Sequence, residues 1–147
     1  MPEEIVMAFD FGEKRIGVAV GNTITAQAQP LTTLHVASNQ DRLAAVAQLV
    51  AEWQPARFVI GEPSHADGQA GDPVHPIAHL AHKFGNRLKE TFRLPVEYVN
   101  EFLSSAAAAQ LLNERGIKGI AQKEHLDAVA AQVILQNYLH EASRHAA

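Results

Sequence analysis

Between Ile5 and Val20 the chain reads IVMAFDFGEKRIGVAV, and this stretch restricts the fold more than any other. Two apolar, β-prone runs, Ile5–Phe11 and Ile16–Val20, are separated by Gly12-Glu13-Lys14-Arg15, which signals a hairpin. Inside the first run stands one carboxylate, Asp10. Side chains alternate along a strand, so Asp10 shares a face with Val6 and Ala8, while Ile5, Met7, Phe9 and Phe11 take the other. A strand with apolar residues on both faces belongs in the middle of a sheet covered on both sides. A charge at the end of such a strand costs several kcal/mol unless something compensates it. Lys14 or Arg15 could do so, and so could a metal ion.

The 147 residues suffice for one domain, 1–147, burying roughly 70% of the unfolded surface. No run of eighteen apolar residues offers a membrane span, and the first residues, Met-Pro-Glu-Glu, are acidic where a secretory signal is basic. The absence of cysteine removes disulfides and thiolate metal sites and is compatible with the cytoplasm. A net charge of −4 argues against a protein that coats nucleic acid, so a nucleic-acid partner needs a local basic patch.

Further along, Leu31–Val36 reads as an edge-like strand with Pro30 just before it, followed by a helix over about 41–54 with Leu43, Val46, Ala47, Val50 and Trp53 inward. Arg57-Phe58-Val59-Ile60 is a short buried strand, and a helix between two strands implies a parallel pair. Gly61 to Pro76 is irregular. A helix over about 77–92 buries Ile77, Leu80, Ala81, Phe84 and Leu88; Val96–Val99 is the next strand. Ser104 or Ser105 caps a helix ending near Arg115, then Gly116–Gln122 is a loop. The last helix runs from about Lys123 to His140 and leaves a frayed tail.

Open α/β sheets bind ligands at the carboxyl ends of their strands, where Asp10 and Glu101 both fall. Asp127, early in the last helix, is the third candidate, because Ala128, Ala130 and Ala131 let that helix approach the sheet closely. Three converging carboxylates repel one another. Mg²⁺ or Mn²⁺ removes the conflict, and two such ions roughly 4 Å apart suit phosphodiester hydrolysis. Each residue also has a plainer explanation. The macrodipole alone favours Asp127 near a helix start, and Glu101 at a strand end is ordinarily just solvated.

The residues carrying more weight are Phe9 to Gly21 as a block, Trp53-Gln54-Pro55, Gly61 with Pro63, Asp67-Gly68, Lys83-Phe84, Lys123, Leu126-Asp127-Ala128, Ala130-Ala131 and Ile134-Leu135-Gln136. Through nearly its whole length the chain resembles the YqgF family, a Holliday-junction-resolvase-like group associated with pre-16S ribosomal RNA nuclease activity. The resemblance implies an α/β, RNase H-like fold: a mixed central sheet with an antiparallel N-terminal hairpin and helices on both faces. It also assigns Asp10, Glu101 and Asp127 to an acidic metal-binding triad. The chain departs from the family pattern at Asn100, usually an acid, at Phe102, usually basic, and at Glu62, usually leucine. Losing an arginine near phosphates weakens positioning by on the order of 1–3 kcal/mol.

The expectation is therefore a cytoplasmic, metal-dependent nuclease acting on a ribosomal RNA precursor or branched DNA. Lys14, Arg15 and Lys123 would hold the phosphate backbone, unless they are solvated charges paired with Glu13 or Glu124. Asn100 and Phe102 motivate the rival reading of a nucleic-acid-binding factor with little catalysis. A junction cutter calls for a two-fold homodimer and an RNA trimmer does not, and the sequence leaves both open. His75, His79 and His82 share a helix face, but no carboxylate or cysteine completes a zinc site there.

Overall fold

The computed structural model describes residues 4–12, 15–35, 39–62, 76–100 and 120–146. In chain order these form β1 (Ile5–Phe11), β2 (Arg15–Asn22), β3 (Gln27–His35), α1 (Asn39–Trp53), β4 (Arg57–Glu62), α2 (Pro76–Phe92), β5 (Val96–Asn100) and α3 (Ile120–Ala146). Five strands make one sheet in the order β3-β2-β1-β4-β5. The hairpin partners β1 and β2 are antiparallel, as are β2 and β3, whereas β1, β4 and β5 run parallel. The mixed sheet and the parallel pair across α1 agree with the expected architecture.

Elements differ from expectation mainly at their ends. β3 begins at Gln27 and takes Pro30 into its interior instead of starting after it. This is tolerated because β3 is an edge strand, and because the register jumps there: Val18 pairs Thr32 while Ala19 pairs Pro30, so Leu31 bulges. α3 starts at Ile120 and continues to Ala146, shortening the expected loop and extending through the expected tail. The helix anticipated at 104–115 and most of the irregular segment after Gly61 lie outside the described residues.

Alternation along β1 divides the core in two. Met7, Phe9 and Phe11 face α1 and α2 and pack with Val46, Phe58, Ala81, Phe84 and Leu88. Phe9 lies edge-on to Phe84 at 5.4 Å between ring centroids and tilted to Phe58 at 5.7 Å. On α1 Leu49 joins this layer, whereas Ala47, expected inward, is exposed. Val6 and Ala8 face the opposite way, where Ala131, Ile134, Leu135 and Leu139 of α3 cover them. The sheet thus carries helices on both faces.

α3 is also fixed by polar contacts. Gln136 accepts a hydrogen bond from the Ala28 amide at 3.0 Å, and the Gln132 side chain donates to the Ala28 carbonyl at 3.1 Å, binding the helix to the start of β3. Across the sheet, the Tyr138 hydroxyl donates to Glu97 on β5 and accepts from Arg57 Nη1 at 3.3 Å, while Arg57 Nη2 pairs with Glu4 at 2.9 Å. Burial foremost, then the hydrogen bond to Glu97, pushes the Tyr138 phenol above its ordinary pKa. Folding therefore favours the protonated phenol. Its contribution is complete below the ordinary value near 10 and is lost as pH rises through the higher folded value. Tyr138→Phe should cost about 1 kcal/mol in urea unfolding at pH 8, and the gap to the wild type should narrow as pH rises past the ordinary phenol value near 10; a gap that widened there would contradict the assignment.

Candidate active site

Asp10 stands next to last on β1, half-buried, with Gly17 of β2 and Gly61 of β4 as its registered neighbours. Both register partners are glycine, so neither of them adds a side chain beside the carboxylate. By strand alternation Asp10 points to the α3 face, in line with Val6 and Ala8. On β2 the residues sharing that face are Arg15, Gly17, Ala19 and Gly21.

That run of small residues sets the distance of α3 from the sheet. A Cβ on Gly21 would meet Leu139 Cδ1 at 2.7 Å and Leu135 Cδ2 at 3.0 Å. At Gly17 the approach is closer still. A Cβ there would lie 1.8 Å from the Asp127 carbonyl oxygen and 2.8 Å from the Ala128 amide nitrogen, so only glycine leaves room for the helix backbone. Asp127 is consequently held against the residue that neighbours Asp10 across the hairpin. Two acidic residues more than a hundred positions apart in the chain are thus carried by backbone segments that meet at Gly17. Gly17 is the determinant that sequence reasoning missed. A glycine inside a strand was the available signal, since it often marks a close backbone approach.

The macrodipole does not account for Asp127. α3 begins at Ile120, so Asp127 sits about two turns in, beyond the first turn where that field acts. Its side chain instead meets Arg15, with Nε 3.2 Å from Oδ2. Asp127 is 19% exposed and Arg15 47%. Oδ2 is fully buried, yet among the described residues it has no partner with hydrogen-bond geometry, so the contact is an ion pair by distance alone. The sequence offered Arg15 as a partner for Asp10 or Glu13, and the pair with Asp127 is a different arrangement.

Glu101, Lys14 and Phe102 lie outside the described residues. Lys123 is on the first turn of α3. Glu62 and Asn100, two of the departures from the family pattern, prove to be register partners at the ends of β4 and β5. Of the histidines, His79 and His82 are exposed, and the His82 ring stacks on Tyr98 at 4.0 Å. No group of three metal-ligating side chains occurs among the described residues, nor any helix long and apolar enough to cross a membrane.

Among solved structures, the fold is similar to Thermus thermophilus RuvC in complex with a Holliday junction substrate, with a TM-score of 0.60 at 16% identity over 96% of each chain. It is also similar to the fowlpox virus resolvase bound to Holliday junction DNA, with a TM-score of 0.52 at 15% identity, covering 94% of this chain and 98% of that one. Among curated relatives, a Dechloromonas aromatica protein is 53% identical over 133 residues, 90% of this chain and 88% of that protein. One from Neisseria gonorrhoeae is 48% identical over 139 residues, 95% and 89% respectively. Both bear the name "Putative pre-16S rRNA nuclease".

Sheet order, the helix crossing it and these relatives define a nuclease of the RNase H-like class. Within that class the chain belongs to the RuvX (YqgF) family, whose description, "RuvX: Holliday junction resolvase", matches residues 4–141.

Gly17→Ala should push α3 away from β2 and cost on the order of 1–3 kcal/mol or more in urea unfolding. Wild-type stability in that variant would contradict the close approach.

Proposed function

We propose that this protein is a divalent-metal-dependent nuclease that processes pre-16S ribosomal RNA in the cytoplasm, with Asp10, Glu101 and Asp127 as its catalytic and metal-holding carboxylates. The observation that carries this reading is the meeting of α3 with β2 at Gly17, which brings Asp127 beside the neighbour of Asp10. Glu101 enters on sequence.

The residues fit a hard cation. Asp10 is flanked by glycines that leave space, and the buried Asp127 Oδ2 lacks a hydrogen bond among the described residues. Oxygen donors of this kind suit Mg²⁺ or Mn²⁺. A divalent ion held there would supply Lewis acidity toward a phosphate oxygen and toward water. The chain's own part is positional. β1 and β4 fix Asp10, α3 fixes Asp127, and Arg15, Lys14 and Lys123 offer cations that grip phosphates without reading sequence.

Holliday junction resolution is the second reading, favoured by the family description and requiring a two-fold homodimer. Relatives near 50% identity with the ribosomal name outweigh it. Asp10→Asn should lower cleavage of a pre-16S RNA fragment by on the order of a thousandfold. The same change should leave the unfolding midpoint nearly unchanged, because asparagine keeps the size of the side chain and one acceptor oxygen. Parallel assays on RNA and four-way DNA, with Mg²⁺ and with chelator, separate the two substrates. Tight binding without product on either would favour a catalytically weak binding factor.

A further inference from the structure

We infer that Arg15 is a built-in competitor for the metal site: its guanidinium occupies Asp127 until a divalent cation displaces it, and the freed arginine then takes a substrate phosphate. This deepens the proposed function and rests on it. The contact itself is Arg15 Nε to Asp127 Oδ2, 3.2 Å. Oδ2 is the buried oxygen, and no hydrogen bond from any described residue satisfies it. A cation ligated by Asp127 through that oxygen and the guanidinium cannot both hold it.

The two partners are unequal, and that inequality gives the contact its direction. The backbone of Asp127 is held in place, because it lies against Gly17. Arg15 can move, since it is nearly half exposed and begins β2 beside the hairpin turn. Arg15 regains water when it leaves, and the buried Oδ2 is left uncompensated unless another cation takes its place, so the exchange needs the incoming ion. Strand alternation keeps Arg15 on the sheet face that carries Asp10 and α3, so a released guanidinium stays on the side of both acids. Its planar fork suits two phosphate oxygens at once, which a lysine cannot match. Metal uptake and backbone capture are thereby coupled through one side chain.

The test is Mn²⁺ binding by titration calorimetry on the full chain without nucleic acid, for wild type and for Arg15→Gln, Arg42→Gln, Asp10→Asn and Asp127→Asn. Arg42 is the control for charge alone. It lies over the Phe11 ring at 5.5 Å, near the same strand end but on the opposite sheet face. Arg15→Gln should tighten Mn²⁺ binding about three- to fivefold. Arg42→Gln should not, and the gain should vanish when Asp127→Asn is added. In Ca²⁺, the increase in RNA affinity that metal gives the wild type should shrink in Arg15→Gln. Equal tightening by the Arg15 and Arg42 variants, or none by either, overturns the competition. Wild-type Mn²⁺ binding that Asp10→Asn leaves untouched instead overturns the metal site itself, so the two failures read differently.

Discussion

The rest of the structure depends on the contact between the backbone of α3 and the hydrogen atom that serves Gly17 as a side chain. Helices ordinarily rest on sheets through side chains, with their axes well clear of the strands. Here glycine, alanine and glycine at 17, 19 and 21 bring the α3 backbone close at its Asp127 end, and Leu135 and Leu139 fill the space near Gly21. Polar contacts set the orientation. Gln132 and Gln136 hold α3 to β3, and Tyr138 holds it to Arg57 and Glu97. These anchors act on the latter part of the helix; at its Asp127 end the described contacts are the close approach to Gly17 and the ion pair with Arg15.

This arrangement explains why the two described carboxylates stand on different kinds of element. Asp10 is fixed by strand register, with no freedom to slip, because a one-residue shift would turn Phe9 and Phe11 out of the aromatic layer and expose them. Asp127 is fixed by helix docking. Arg15 pairs with Asp127 and so places one positive charge at that end of the helix.

Much of this was readable in the residues. Alternation in Ile5–Phe11 gave both faces of the central strand, and the small residues after Asp127 pointed to a close-lying helix. Helical spacing found most of the α1 and α2 core, except that Ala47 faces solvent and Leu49 packs in its place. Alanine is apolar enough to satisfy a periodicity argument and small enough for its exposure to cost almost nothing. The partner of Arg15 was not readable, because pairing across the hairpin and the helix depends on docking rather than on local sequence. Nor was the register that sets Glu62 beside Asn100. Two departures from the family pattern that look independent along the chain are neighbours in the sheet.

The proline and bulge in β3 bear on how copies of this molecule meet. An outer strand with a free row of amides invites addition of a foreign strand, and runaway stacking follows from such an invitation. Pro30 has no amide to offer, and the extra residue at Leu31 bends the line that a second sheet would have to follow. That margin is blunted against continuous sheet extension. Among the described residues, helix surfaces and the far rim of the sheet are the better-suited faces for self-association, which gives crosslinking and interface mapping a defined place to start.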